Sequence, residues 1–331
     1  MFTTIPVLWS TDIPPVPGIV GSVPAAMLVL LGLLCVGVVL LLRAGRATAR
    51  SAESQHGPLA ARGLEAYRRF LARRDGVPNL QRHTLSRREA LFAALDAAPV
   101  RSQIAVDREA YRRNLRRRRP ERGLDARVLW LLASAKANQA ERFGIGLAEL
   151  YGRVPAPDED PVRVHLHLQE TYHTRILADA VALFGLQVQA GPPPLAARVL
   201  IKTIVHLPPH WTLPLVGCSE MIGCVIFRAL RDRGIALFAD EPEVAERVRL
   251  LYDEILADEL SHVGFIAAQL GARGRWLMRT LYRHLAARMA RQMPELRTLF
   301  GADELPRRFR NFRLDAMVAE FPDTAYAAAL V

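Results

Sequence analysis

Lysine is almost absent from this chain of 331 residues, because only Lys136 and Lys202 stand among its 44 basic residues. All the other basic residues are arginines, and the formal net charge is +11. This bias is typical of a GC-rich genome, and it also fits a surface that meets phosphate, carboxylate or anionic lipid. Cysteine is scarce as well, at three residues, which excludes a disulfide scaffold and makes a reducing compartment acceptable.

Charged side chains are missing from 13–42, and 25–42 is an almost purely apolar run. About 20 helical residues cross a hydrocarbon core about 30 Å thick, so the run predicts one membrane span, with a buried or peripheral helix as the alternative. Asp12 is the only charged residue before the run, whereas three arginines follow it, at Arg43, Arg46 and Arg50. We therefore expect a single-pass protein of the inner, cytoplasmic membrane, with its N-terminus outside and the rest of the chain in the cytoplasm.

The part of the chain after this run is polar, basic and interrupted by glycine and proline, with helical spacing in 58–75 and 85–98. A group of seven arginines within 112–122 would bind anionic headgroups beside a membrane anchor or an acidic carrier protein. A solvated helix face is the alternative. No zinc-finger or RNA-binding signature accompanies the arginines, and no aromatic residues alternate with them, so we expect no nucleic-acid partner.

Long helical patterns dominate from residue 124 onwards, and no convincing run of alternating strand residues interrupts them. The sequence therefore predicts an all-α fold. The four longest predicted helices cover about 126–152, 161–186, 212–233 and 242–271. The predicted organisation is an N-terminal tail and anchor (1–50), a basic helical linker (51–125), a helical bundle (126–275) and a basic helical extension (276–331).

Two Glu-x-x-His pairs occur in the second and fourth of these helices. Glu170 and His173 form one pair, and Glu259 and His262 form the other. Residues three apart lie on the same face of a helix, and apolar residues continue both faces. Both pairs are therefore expected to point inwards.

The other two long helices offer single carboxylates. Glu220 is the only charged residue in the apolar part of the third helix. A buried carboxylate must be neutral, paired with a residue such as Arg175, or bound to a cation. In the first helix the candidates are Glu141 and Glu149. We favour Glu141, because it stands about as far from the PAPDEDP turn as the glutamate of the first pair does.

In this order the residues resemble the ferritin-like di-iron carboxylate proteins, in which two helices each give Glu and two each give Glu-x-x-His. The resemblance covers roughly 126–271 and implies a ferritin-like four-helix bundle. It also implies two bound iron ions, or manganese, or one of each, and activation of O2 for oxygenation or desaturation of an organic substrate. The metal ligands, through which catalysis would proceed, would be Glu141, Glu170, His173, Glu220, Glu259 and His262.

Four further residues are assigned by this resemblance to the surroundings of the metals. Asp258 precedes the last-helix glutamate and would accept the free N–H of His173, and Gln169 is its neutral counterpart in the first pair. Tyr172 completes a Glu-x-Tyr-His string that is similar to the p-aminobenzoate N-oxygenase-like enzymes. Cys224 follows the third-helix glutamate, close to where many hydroxylases of the superfamily have threonine.

The leading hypothesis is a membrane-anchored non-haem di-iron oxygenase or oxidase that faces the cytoplasm. Its electrons would come from a separate reductase or ferredoxin, because the sequence has no flavin or Fe–S motif. The anchor and the arginine-rich surface favour a lipid-like or carrier-bound substrate and contact with an anionic membrane surface. The alternatives are a non-catalytic ferritin-like metal-binding membrane protein and a basic helical module on the membrane surface without metal.

Overall fold

The computed structural model describes residues 58–79, 84–150, 161–188, 203 and 206–327, and this part of the chain is almost entirely helical. The predicted all-α fold is confirmed for it. In chain order the elements are α1 (Pro58–Arg74), β1 (Pro78–Asn79), β2 (Thr84–Leu85), α2 (Ser86–Ala97), α3 (Arg108–Leu115), α4 (Ala126–Leu150), α5 (Pro161–Ala182), α6 (Pro209–Leu237), α7 (Pro242–Gln269), α8 (Ala272–Gln292), α9 (Pro294–Phe300), α10 (Glu304–Arg310), α11 (Leu314–Val318) and a final 3-10 helix (Pro322–Ala327).

The predicted membrane span at 25–42 lies outside the described residues. Among those described, the segment Trp211–Leu237 is long and apolar enough to cross a membrane. Most of this segment is buried inside the protein, as the core helix of any protein would be. Length and composition alone therefore do not identify it as a span.

The four longest predicted helices correspond to α4, α5, α6 and α7, with boundaries that differ by a few residues. Helix α7 begins at Pro242, because proline suits a first helical turn, where its missing N–H has no helical partner. Helix α4 contacts α5 and α6, and helix α7 contacts the same two helices. The four helices are thus arranged as a closed ring of neighbours.

Large apolar side chains fill the space between these helices. The indole of Trp130 on α4 is fully buried and donates a hydrogen bond of 2.8 Å to the carbonyl oxygen of Leu230 on α6. The ring of Phe238 packs edge-on against it, with the ring centroids 5.3 Å apart. Each buried side chain of this size stabilises the fold by roughly 1.5–3 kcal/mol. Helices α4 and α6 are therefore held together at a fixed position along their length.

Shorter elements surround the ring and belong to the same compact unit, which covers 55–331. Helix α1 and the final 3-10 helix pack on α7, and α8 packs on α6. The hydroxyl of Tyr326 donates to the carbonyl oxygen of Ser261, 3.1 Å away. Helices from both sides of the boundaries predicted near 125 and 275 contact one another, and those boundaries stay predictions.

A tight turn and two short paired strands lie between α1 and α2 in the chain. Gly76 has a φ of 76°, which L side chains rarely adopt, and a Cβ there would collide with Ser86. Strands β1 and β2 then pair antiparallel, with Pro78 opposite Leu85. This turn brings the first residues of α2 beside the end of α1.

Candidate metal centre

Helices α5 and α7 bring their Glu-x-x-His pairs face to face in the interior. The imidazoles of His173 and His262 are fully buried, and their ring centroids lie 6.0 Å apart. Both pairs point inwards, as the apolar residues on the same helix faces predict. The two histidines therefore face a common space between α5 and α7.

The six residues that the sequence predicts as metal ligands converge around this space in two groups. Within each group, one possible ligand atom from every residue lies within 4.8 Å of the others. The larger group contains one residue of α6 and the smaller group one residue of α4, and a single glutamate belongs to both. The groups are Glu170, Glu220, Glu259 and His262, and Glu141, Glu170 and His173.

Glu170 lies between the two histidines. Its Oε1 is 3.0 Å from Nδ1 of His262, and its Oε2 is 3.5 Å from Nδ1 of His173. Glu259 approaches the same nitrogen of His173 at 3.5 Å, and Glu220 approaches Nδ1 of His262 at 3.4 Å. Every imidazole in the cluster thus has two carboxylates beside its Nδ1.

The opposite ring nitrogens point away from the carboxylate cluster. Nε2 of His173 lies 3.2 Å from Oδ2 of Asp258, so the predicted contact is present. Nε2 of His262 lies 2.9 Å from Oε1 of Gln169. Both partners accept, so each Nε2 carries a hydrogen and Nδ1 is the nitrogen turned towards the carboxylates. Nδ1 of His173 is buried and has no hydrogen-bond partner among the described residues.

The pKa values of the carboxylates and histidines in the cluster differ from their usual values. Burial, followed by repulsion from neighbouring carboxylates, raises the pKa of Glu141 and of Glu259 well above the usual range. Burial would also raise the pKa of Glu170, but the two imidazoles outweigh it and hold this pKa below its usual range. Burial opposes charge on the histidines, yet adjacent carboxylates raise the pKa of His173 to about 9 and that of His262 to about 10.

A network of charged residues lies behind the histidines. The guanidinium of Arg88 on α2 is fully buried and contacts Asp75, Glu254 and Asp258. Arg74 at the end of α1 contacts Asp258 at 3.0 Å and Glu254 at 2.7 Å. Burial would raise the pKa of Asp258, but both arginines hold it below its usual range. Asp258 therefore accepts hydrogen bonds as a carboxylate.

The sequence predictions did not include these arginines, because they occur among many exposed arginines. A helical pattern did carry a signal for Arg88, which lies four residues before Phe92 and seven before Leu95 on the same face of α2. Phe92 belongs to the hydrophobic core, and the partly buried Leu95 packs against it. An arginine on the apolar face of a helix indicates a buried ionic partner.

Tyr172 and Cys224, which the sequence also predicts around the metals, lie in different parts of the structure. The hydroxyl of Tyr172 donates to Glu89 at 2.7 Å and accepts from the backbone N–H of Leu85 at 3.1 Å, so it contacts the α2 region. Cys224 is fully buried, and burial raises the pKa of its thiol well above the usual range.

The structure also bears on two alternatives that the sequence leaves open. Arg175, a possible partner for Glu220, contacts Asp96 at 3.0 Å instead, while Glu220 faces His262. The side chain of Glu149 lies outside what the structure describes, whereas Glu141 belongs to the cluster.

The residues of the cluster and those behind it differ in their exposure to solvent. The side chains of Glu170 and Glu220 are 18% and 15% exposed, whereas those of Asp258 and both histidines are almost completely buried. The cluster is therefore partly exposed at Glu170 and Glu220. The arginine network closes the opposite side.

No protein-family model, no curated protein and no solved structure matches this chain.

Proposed function

We propose that this protein is a membrane-anchored non-haem di-iron oxidoreductase, with two metal ions held in a ferritin-like four-helix bundle. The observation that carries the proposal is the position of Glu170, whose two carboxylate oxygens lie beside different histidines. Glu170 would therefore be able to hold two cations together, with one histidine for each.

The arrangement of the helices supports the four-helix bundle. Helices α4, α5, α6 and α7 form a closed ring of contacts, and each of them contributes to the cluster. Single glutamates come from α4 and α6, and Glu-x-x-His pairs come from α5 and α7. This is the distribution found in ferritin-like di-iron carboxylate proteins.

The chemistry of the donor atoms supports a pair of divalent cations. Four buried or half-buried carboxylates in one place repel one another, and two divalent ions would balance their charge. Nδ1 of His173 is a buried nitrogen that a metal would satisfy. Carboxylate-rich sites with one imidazole per ion favour iron or manganese over structural zinc.

The side chains of this protein would bind the ions, fix their positions and limit the access of water to them. When bound, a reduced iron pair supplies the activation of O2 that oxygenation or desaturation of an organic substrate requires. Gly223 leaves room for Glu259, because a Cβ at this position would lie 2.7 Å from its Oε2. The partly exposed Glu170 and Glu220 leave a path for O2 and substrate.

The proposal also includes the partners of the reaction. An external reductase or ferredoxin provides electrons, because the sequence has no flavin or Fe–S motif. The apolar run at 25–42 anchors the chain in the inner membrane with its N-terminus outside, and arginines near it contact anionic headgroups. A lipid-like or carrier-bound substrate fits an enzyme placed at this surface.

Metal analysis tests the centre directly. The full-length chain, produced in iron-replete medium and purified in detergent, should contain two equivalents of iron or manganese. Glu170→Ala should lose both, because this residue belongs to both ligand groups. Thr171→Ala is the matched control, since this exposed neighbour bonds to the carbonyl oxygen of His167 and should keep both ions. A metal-free wild-type chain would contradict the proposal.

Reaction with O2 tests the oxidoreductase. The iron-loaded chain is reduced without air and mixed with oxygenated buffer while its absorbance is followed. We expect an O2-dependent absorbance transient with consumption of O2, and its absence in Glu170→Ala. Bound iron that does not react with O2 would instead favour the non-catalytic metal-binding protein.

A further inference from the structure

We infer that Arg88, which lies outside the four long helices, is a positioning residue that fixes the orientation of both His173 and His262 through two hydrogen-bond chains. The functional meaning of this inference rests on the proposed metal centre. The chains themselves are a property of the fold.

The first chain runs through one carboxylate. Nη2 of Arg88 donates to both oxygens of Asp258 at 2.5 Å. Oδ2 of Asp258 lies 3.2 Å from Nε2 of His173. Because a carboxylate only accepts, this contact requires a hydrogen on Nε2 and leaves Nδ1 towards the glutamates.

The second chain runs through a carboxylate and an amide. Nε of Arg88 donates to Oδ1 of Asp75 at 3.0 Å, and Nε2 of Gln169 donates to Oδ2 of the same aspartate at 2.7 Å. Oε1 of Gln169 then accepts from Nε2 of His262 at 2.9 Å and from the hydroxyl of Tyr67 at 3.1 Å. This chain places a hydrogen on Nε2 of the second histidine as well.

The second chain depends on the orientation of the Gln169 amide. Rotation of this amide by 180° would exchange its donor for its acceptor and turn an N–H towards His262. Asp75 at 2.7 Å and Asp258 at 3.3 Å lie on the amide nitrogen and can only accept, so they favour one orientation. Without Asp75 the rotated amide would move the imidazole hydrogen to Nδ1, the nitrogen that a metal needs.

Arginine suits this position because two buried carboxylates must be held close together. The planar guanidinium of Arg88 reaches Asp75 with Nε and Asp258 with Nη2 at the same time, which a single ammonium nitrogen cannot do. Arg74 contacts Asp258 and Glu254. Its described contacts do not include Asp75, and it reaches the Gln169 amide only through the longer contact of Asp258 at 3.3 Å, so it serves as the control.

The test compares four variants of the full-length chain in detergent. Arg88→Lys keeps the charge but shortens the reach, and Asp75→Asn changes the second chain alone. Arg74→Gln is the control that keeps the contacts of Asp75 with Arg88 and with Gln169. Metal affinity is measured by competition between Co2+ and a chelator. Zinc-loaded samples with 15N-labelled histidine show which ring nitrogen binds the metal, and His262→Gln assigns the signals.

We expect Nδ1 ligation and Nε2–H in both histidines of the wild-type chain. Arg88→Lys should weaken the binding of both equivalents of metal about 10- to 100-fold, the range known for partners of metal-bound histidines. Asp75→Asn should weaken one equivalent by a similar factor and change the signals of His262 only. Arg74→Gln should leave the signals of His262 unchanged.

Three results are decisive against the inference. If Arg88→Lys binds both equivalents as wild type does, with unchanged histidine signals, the inference is wrong and the metal centre stands. If Arg88→Lys does not fold, Asp75→Asn decides, and unchanged His262 signals and affinity overturn the inference. If the wild-type chain binds no metal, the proposed function fails and the positioning role fails with it.

Discussion

Single residues of the cluster bind protons at the positions where they would bind metal. The carboxylates around the two imidazoles raise the pKa of His173 to about 9 and that of His262 to about 10. Burial and mutual repulsion raise the pKa of Glu141 and Glu259 well above the usual range. At neutral pH the metal-free cluster therefore holds several protons that a divalent cation has to displace.

The first prediction is that metal affinity rises with pH. A group that is protonated in the metal-free protein and unprotonated in the metal-bound protein releases its proton on binding. At a pH below the pKa of such a group, each rise of one pH unit therefore lowers the apparent Kd for the metal about tenfold per group. Between pH 6.5 and 8.5, below the pKa of His173, the apparent Kd should fall at least tenfold per unit. Calorimetry at pH 7 in two buffers that differ in ionisation enthalpy counts the released protons. A Kd that does not depend on pH would contradict this prediction.

The second prediction concerns a single methyl group. A Cβ on Gly223 would lie 2.7 Å from Oε2 of Glu259, so Gly223→Ala should displace this carboxylate and weaken metal binding at least tenfold. Gly144→Ala is the control, because a Cβ there meets nothing within 4 Å among the described residues. The control should stabilise α4 by about 0.5–1 kcal/mol and leave metal binding unchanged. Metal content and thermal unfolding distinguish the two variants, and equal metal binding would contradict the prediction.

At the scale of elements, the sequence carries much of the candidate site because the helical period is regular. Residues three apart share a helix face, so Glu-x-x-His pairs and a lone glutamate on an apolar face are visible without a structure. The role of Arg88 is not, since its partner Asp258 is 170 positions away in the chain. Contacts between distant elements depend on packing, which local patterns do not encode.

The third prediction concerns the contact between α4 and α6. Trp130→Ala removes a fully buried indole and its hydrogen bond, so it should lower the free energy of unfolding by about 3–5 kcal/mol. Trp276→Ala is the matched control, because this side chain is 62% exposed and its loss should change stability by less than about 0.5 kcal/mol. Chemical denaturation followed by circular dichroism measures both. Similar losses in the two variants would show that α4 and α6 are not held together in this way.

For the whole molecule, the described helices belong to the compact unit 55–331, and the predicted anchor precedes this unit. The candidate metal centre uses residues of the unit alone, from Asp75 to His262. Binding of metal and attachment to the membrane are therefore expected to be separable by one cut in the chain.

The fourth prediction uses this cut. Deletion of 1–54 should leave a protein that binds two equivalents of metal and leaves the membrane fraction, whereas the full-length chain should stay in membranes after an alkaline carbonate wash. Fractionation with metal analysis of each fraction measures both properties. If the shortened chain stayed in the membrane, another segment would attach it, and the apolar Trp211–Leu237 would be the first to examine.

The separation of 170 positions between Arg88 and Asp258 also sets an order of events on the ribosome. Translation at about 5–20 residues per second leaves a delay of roughly 10–30 s between the appearance of the arginine and that of its distant partner. During this time the nascent chain offers Arg88 only Asp75 among its buried carboxylate partners. Asp258, Glu259 and His262 all lie on α7, so the proposed metal centre cannot form before α7 has left the ribosome.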